Sequence, residues 1–150
     1  MALRQLPEDF KDFISFLNKN SVKYLLLGGW AVGIYGYPRA TGDIDVLIAI
    51  DDDNLNKLLK ALNEFGSPPI DKEHFKIIGN IFMMGASPIK IDVINQASGI
   101  DFEECYSRKN IINVDGIEIS LISKKDLIKN KKSSGRAKDI ADVESLEDIL

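Results

Sequence analysis

The stretch Leu25–Ile48, LLLGGWAVGIYGYPRATGDIDVLI, constrains this chain more than any other. It reads as an apolar strand, a glycine pair, one short helix, an Arg-x-Thr turn and a second strand carrying Asp43 and Asp45. Residues two apart on a strand share a face at a spacing of about 6.5 Å. The two aspartates therefore project together, while Ile44 and Val46 point into the core. Two carboxylates on one face of an apolar strand repel each other and serve no packing purpose. A cation between them explains the pattern, and hard oxygen ligands suit Mg²⁺. Upstream, Gly28 and Gly29 end the apolar run Tyr24–Leu27 and open the segment Trp30–Tyr35. Glycines at such a turn let a phosphate approach the backbone and the free amides of a helix N-terminus. Either feature alone is common, as a tight turn or a pair of surface acids. At this spacing they are the parts of a phosphate-and-metal site.

A hydrophobic run, Gly28-Gly29, 13 intervening residues and Asp43-Ile44-Asp45 before Val46-Leu47-Ile48 resembles the nucleotidyltransferase superfamily typified by DNA polymerase beta. More narrowly, Gly28-Gly29-Trp30-Ala31-Val32, Gly36-Tyr37-Pro38-Arg39-Ala40-Thr41 and Asp43-Ile44-Asp45 are similar to its small prokaryotic branch. That branch includes stand-alone minimal nucleotidyltransferases and proteins of toxin–antitoxin and abortive-infection systems. Where many members have Gly-Ser, this chain has Gly-Gly, so a hydroxyl that would touch a phosphate is missing. The resemblance covers nearly all 150 residues. It implies an α/β (α+β) fold whose mixed, mostly antiparallel sheet is flanked by helices. It also implies a nucleotide site that includes Gly28, Gly29, Arg39 and Thr41, and two Mg²⁺ ions (or Mn²⁺) on Asp43, Asp45 and a third carboxylate.

By the same resemblance the third carboxylate is Asp92. Ile81–Met84 and Ile89–Ile94 flank Gly85-Ala86-Ser87-Pro88, a hairpin pattern with a four-residue turn. The second strand puts Lys90, Asp92 and Ile94 on one face and Ile91 and Val93 on the other. Ile91-Asp92-Val93-Ile94 is close in pattern to Asp43-Ile44-Asp45-Val46. An edge-strand acid facing water is the alternative.

At 150 residues the chain fits one domain with a substantial core, residues 1–150, with a basic segment and helix at about 123–150 packed on it. No apolar run approaches the ~18 residues of a membrane span, and MALRQLPEDF lacks the features of a signal peptide. Cys105 is the only cysteine, so no internal disulfide forms and a reducing cytoplasm is expected. Glu103 and Glu104 beside it disfavour a thiolate, which makes Cys105 structural. His74, the sole histidine, has no Cys or His partner; this argues against zinc and for a packing or surface role.

Apolar residues at 6, 10, 13, 14 and 17 predict a first helix over Leu6–Leu17. Strands follow at Val22–Leu27 and Asp43–Ile50. Asp51, Asp52 and Asp53 cap a helix that Leu55, Leu58, Leu59, Leu62 and Phe65 continue and Gly66 stops. His74–Ile78 alternates weakly, Met83-Met84 looks like ordinary packing, and Asp101–Arg108 suits a short helix. Ile111–Val114 and Ile117–Ile122 form a hairpin around Asp115-Gly116. Ser123 caps a helix from Lys124, and a last helix runs from about Arg136 to Leu150, with Ile140, Val143, Leu146, Ile149 and Leu150 on its apolar side.

Net charge is −4, which argues against broad nucleic-acid coating, yet residues 123–138 hold 7 basic residues and 1 acid. Arg136 and Lys138 open a helix, where cations oppose the dipole unless an anion or nearby acid compensates. Lys131, Gly135, Arg136, Lys138, Asp139 and Asp142 are similar to a Lys…Gly-Arg-x-Lys-Asp-x-x-Asp block of the same prokaryotic proteins. By that resemblance Lys131 and Arg136 contact the nucleotide's phosphates and Asp139 positions one of these cations. The choice among Lys129, Lys131 and Lys132 stays open. The expected reaction moves a nucleoside monophosphate from an NTP to a hydroxyl acceptor: an RNA end such as tRNA, a protein, or a small molecule such as an aminoglycoside. The competing expectation is a binding module, such as an antitoxin acting on a partner protein.

Overall fold

Tyr24–Leu27 is apolar at every position because it becomes a central strand, buried on both faces. The computed structural model describes residues 7–36, 43–86 and 89–148. Arg39, Thr41, Ile149 and Leu150 lie outside the described residues. In chain order the elements are α1 (Glu8–Lys19), β1 (Tyr24–Leu27), α2 (Gly28–Ile34), β2 (Asp43–Ile48), α3 (Asp52–Phe65), α4 (Lys72–Lys76), β3 (Ile81–Ala86), β4 (Ile89–Ile94), α5 (Phe102–Ser107), β5 (Asn110–Val114), β6 (Ile117–Leu121), α6 (Lys124–Ser134) and α7 (Ala137–Asp148).

The six strands form one mixed, mostly antiparallel sheet in the order β3-β4-β2-β1-β6-β5, flanked by helices. The β1–β2, β3–β4 and β5–β6 pairs are antiparallel; β1–β6 and β2–β4 are parallel. Helix α1 packs its Phe10, Phe13, Ile14 and Leu17 stripe inward, against α3 and β6. Helix α2 lies on β1, β2 and α6, and α6 holds α7. Asp51 caps α3 as expected, its carboxylate accepting from the Asn54 amide at 3.0 Å, and Gly66 ends that helix in the left-handed conformation.

Asn54 carries more of the architecture than its position in a polar first turn suggests. Buried, it accepts from the Lys23 amide at 2.7 Å and donates to the carbonyls of Lys23 and Ala49 at 3.1 and 2.7 Å. It thereby joins the start of β1 to the end of β2. Asn54→Leu strands three backbone groups away from water, so urea unfolding should report a loss of about 3 kcal/mol.

Some boundaries differ from the sequence reading. Strand β2 ends at Ile48 rather than Ile50. Strand β3 continues through Gly85 to Ala86, which pairs with Ile89, so these two residues belong to the hairpin's ladder and not to its turn. The weak alternation at His74–Ile78 is mostly helix α4, whose Phe75 packs edge-on against Phe82 and His74. Met83 is not core packing: its neighbour Met84 is buried, whereas Met83 is 60% exposed on edge strand β3. Ile140 is 52% exposed because α7 turns Asp139, Asp142, Val143 and Leu146 inward instead. These four repeat at helical spacing, and two of them are charged, which hid the buried face from a search for apolar residues.

Candidate active site

The parallel pairing of β2 with β4 sets Asp45 opposite Asp92 and Asp43 opposite Lys90. Partners in register share a face, so all four side chains project from the same side of the sheet's centre. On the other flank of β2, Leu27 pairs with Asp45, and the chain leaves β1 directly into Gly28. Residues far apart in sequence are thus brought together by three adjacent strands.

Gly28 is required twice over. Its φ is +76°, a conformation side chains disfavour, and a Cβ there would lie 2.5 Å from Asp45 Oδ2. The glycine turn and the acidic strand are therefore in contact, as their spacing suggested. Gly28→Ala must displace the Asp45 carboxylate or the turn. We expect a stability loss of about 2 kcal/mol together with loss of nucleotide binding, read by denaturation and by titration of a fluorescent NTP. Gly29 follows in the first turn of α2, where no side chain caps the helix's free amides.

Charge crowding perturbs both central acids. Burial, then the neighbouring Asp92 and Asp43, push Asp45 up from 3.8 to about 6, while Lys131 and Lys138 pull in the opposite direction. Asp92 is also raised, chiefly by burial. Its Oδ1 is buried and has no hydrogen-bond partner. A buried carboxylate oxygen left without a donor is costly, and its donor chemistry fits a hard cation. Asp43 is more open, with a side chain 60% exposed, and the Lys90 ammonium stands between it and Asp92. Among the described residues no three His, Cys, Asp or Glu side chains converge as a ready-made metal cluster.

The basic block divides into buried and exposed parts. Helix α6 runs to Ser134 and ends at Gly135 in the left-handed conformation, so Lys129–Ser134 are helical. Lys131 in its last turns is 4% exposed, and its ammonium lies 3.1 Å from both Asp139 Oδ1 and Asp142 Oδ2. Asp139 in turn holds Arg136 through Nε at 2.7 Å and accepts from the Ser134 hydroxyl. Burial alone would raise Asp139, but these donors outweigh it and keep the carboxyl well below the usual range. The acid that compensates Arg136 at the start of α7 is therefore Asp139. Arg136 itself is 63% exposed. Lys129 and Lys132 sit elsewhere on α6, and Lys132 pairs with Glu147 at 3.4 Å.

Sequence reasoning gave no role to Lys90 or Lys138. For Lys90 the signal was present, since it shares a strand face with Asp92 two residues away. For Lys138 the signals were its place at a helix start, where a cation opposes the dipole, and its match to the basic block.

The chain belongs to the family described as "Nucleotidyltransferase of unknown function (DUF6036)", whose model matches residues 2–149. No curated protein matches it in sequence. Among solved structures it is similar to the lincosamide antibiotic adenylyltransferase LnuA, lincomycin-bound, at 17% identity and a TM-score of 0.63 over 99% of this chain and 100% of that one. TM1012 from Thermotoga maritima, assigned as a nucleotidyltransferase, is similar at 14% identity and a TM-score of 0.64, over 95% and 92% of the two chains. ANT(2")-Ia, in complex with adenylyl-2"-tobramycin, is similar at 12% identity and a TM-score of 0.56, over 93% and 91%. All share the nucleotidyltransferase fold expected from the sequence. Among the described residues no helix is long and apolar enough to cross a membrane.

Proposed function

We propose that this protein is a metal-dependent nucleotidyltransferase that moves a nucleoside monophosphate from an NTP to a hydroxyl acceptor and releases pyrophosphate. The observation that carries the reading is the contact between the glycine turn and the acid pair: Gly28 lies against Asp45, and Asp45 stands in register with Asp92. Asp45, Asp92 and Asp43 would hold Mg²⁺, or Mn²⁺, which supplies Lewis-acid stabilisation of phosphate charge and lowers the pKa of an acceptor hydroxyl. The backbone at Gly28 and Gly29 admits the triphosphate closely and offers uncapped amides to it. Arg136, steadied by Asp139 yet open to solvent, takes charge developing on the pyrophosphate. Lys131 acts from within the protein by holding Asp139 and Asp142 in place. Asp92, with its raised pKa, suits the role of proton acceptor for the attacking hydroxyl. Arg39 and Thr41, assigned by resemblance, complete the nucleotide side.

LnuA is a lincosamide adenylyltransferase and ANT(2")-Ia is seen with adenylyl-2"-tobramycin, which favours a small molecule among the acceptor classes. The test is thermal unfolding with NTP, Mg²⁺, both or neither. Stabilisation that requires both ligands is expected; none at millimolar NTP with Mg²⁺ would refute the reading. Incubation with labelled NTPs and pools of small molecules, RNA and protein then identifies the acceptor by what becomes labelled.

A further inference from the structure

Lys90 is a charged side chain on the same strand face as Asp92 that the mechanism leaves without a task. It stands two residues before Asp92 on β4 and opposite Asp43 on β2. Its Nζ lies 3.9 Å from Asp43 Oδ1, 3.9 Å from Asp92 Oδ2 and 3.9 Å from Met83 Sδ. An ammonium docked on one carboxylate sits closer than this. Here it is suspended between two carboxylates on different strands, over the thioether of a third. Long, half-open ion pairs of this kind are individually weak, and the side chain has a flexible four-carbon stem on which to move. Three acids on one face nevertheless need positive charge nearby, and Lys90 supplies it from within the chain.

We propose that Lys90 is a resident counterion of the carboxylate cluster, occupying the gap between Asp43 and Asp92 that a divalent cation would fill and swinging aside when the cation is bound. The inference rests on the reading of this face as a metal site. It follows that the free protein binds a bare divalent ion weakly, because the ion must displace a resident positive charge. A triphosphate arriving with the ion gives the displaced ammonium a new anionic partner, so metal and nucleotide bind with positive coupling.

Mn²⁺ binding followed by electron paramagnetic resonance, without nucleotide, tests this on the wild type, Lys90→Met, Lys90→Gln and Lys90→Arg. Removing the charge should tighten Mn²⁺ binding at least about tenfold while lowering the melting temperature of the metal-free protein. Arginine should restore the weak binding of the wild type. A lysine that only supports the local structure gives the opposite sign, since a loosened cluster binds metal less well. Should either neutral variant fail to fold, the other carries the measurement. Unchanged or weaker Mn²⁺ binding in the neutral variants, beside measurable binding in the wild type, overturns the counterion role and leaves the proposed function standing. No Mn²⁺ binding in any of the proteins, with or without ATP, overturns both.

Discussion

Asp45→Asn is expected to abolish nucleotidyl transfer and, in the same stroke, to make the protein harder to unfold. Transfer should fall by about 1000-fold or more, because several kcal/mol of charge stabilisation in the transition state depends on that carboxylate. The gain in stability has a separate origin. The folded state raises Asp45 to about 6 from its ordinary 3.8, so the ionised side chain is disfavoured by folding. For a carboxyl raised in this way, the stabilising contribution of the protonated form is fully present below about 3.8 and is lost as pH rises through about 6. Asparagine mimics the neutral form at every pH. The variant should therefore exceed the wild type by about 2 kcal/mol above pH 7, and the gap should close as pH falls toward 4. Melting curves across that range, set beside a transfer assay, read both effects. Saturating Mg²⁺ and NTP should shrink the gap by stabilising the wild type alone. Transfer that survives the substitution would refute the assignment of Asp45.

The second large effect is expected at Lys131. Its side chain is 5% exposed and joins two carboxylates that are almost wholly buried. Lys131→Met leaves Asp139 with Ser134 and Arg136 but removes the cation it shares with Asp142. Removing one partner from a buried ionic group costs about 3–5 kcal/mol, because the remaining carboxylates lose a cation that burial makes hard to replace. Urea unfolding should show that loss, and adding Asp142→Leu should recover part of it. If Lys131 instead reached out to phosphate as its main task, the single variant would lose NTP affinity with little change in stability. The two outcomes separate a group that supports the site from one that contacts the ligand.

The acidic face was legible because strand alternation has a period of two and places every residue on a known side. Asp43, Asp45, Lys90 and Asp92 could each be assigned a face before any coordinates. The pairing of β2 with β4 was not legible, since nothing local specifies which strand lies beside which across more than forty residues. The resemblance to known proteins supplied that partner, and the observed register sets Asp45 against Asp92. Helix ends were readable wherever chemistry marked them, as at Asp51, Gly66 and Ser123, whose hydroxyl accepts from the Asp126 amide. Helix α4 was missed because its few residues carry too little periodicity to register. The buried side of α7 was misread at Ile140 for a different reason. Its inward residues include Asp139 and Asp142, drawn in by Lys131, and a hydrophobic pattern gives no weight to them.

The strands that carry the acids, β2 and β4, are both interior to the sheet; neither is an edge. Their spacing is fixed by ladder hydrogen bonds on either side, not by the loops at their ends. The surrounding loops and helices can then differ while the acids keep their places. Architecture retained at 12–17% identity is what such an arrangement permits.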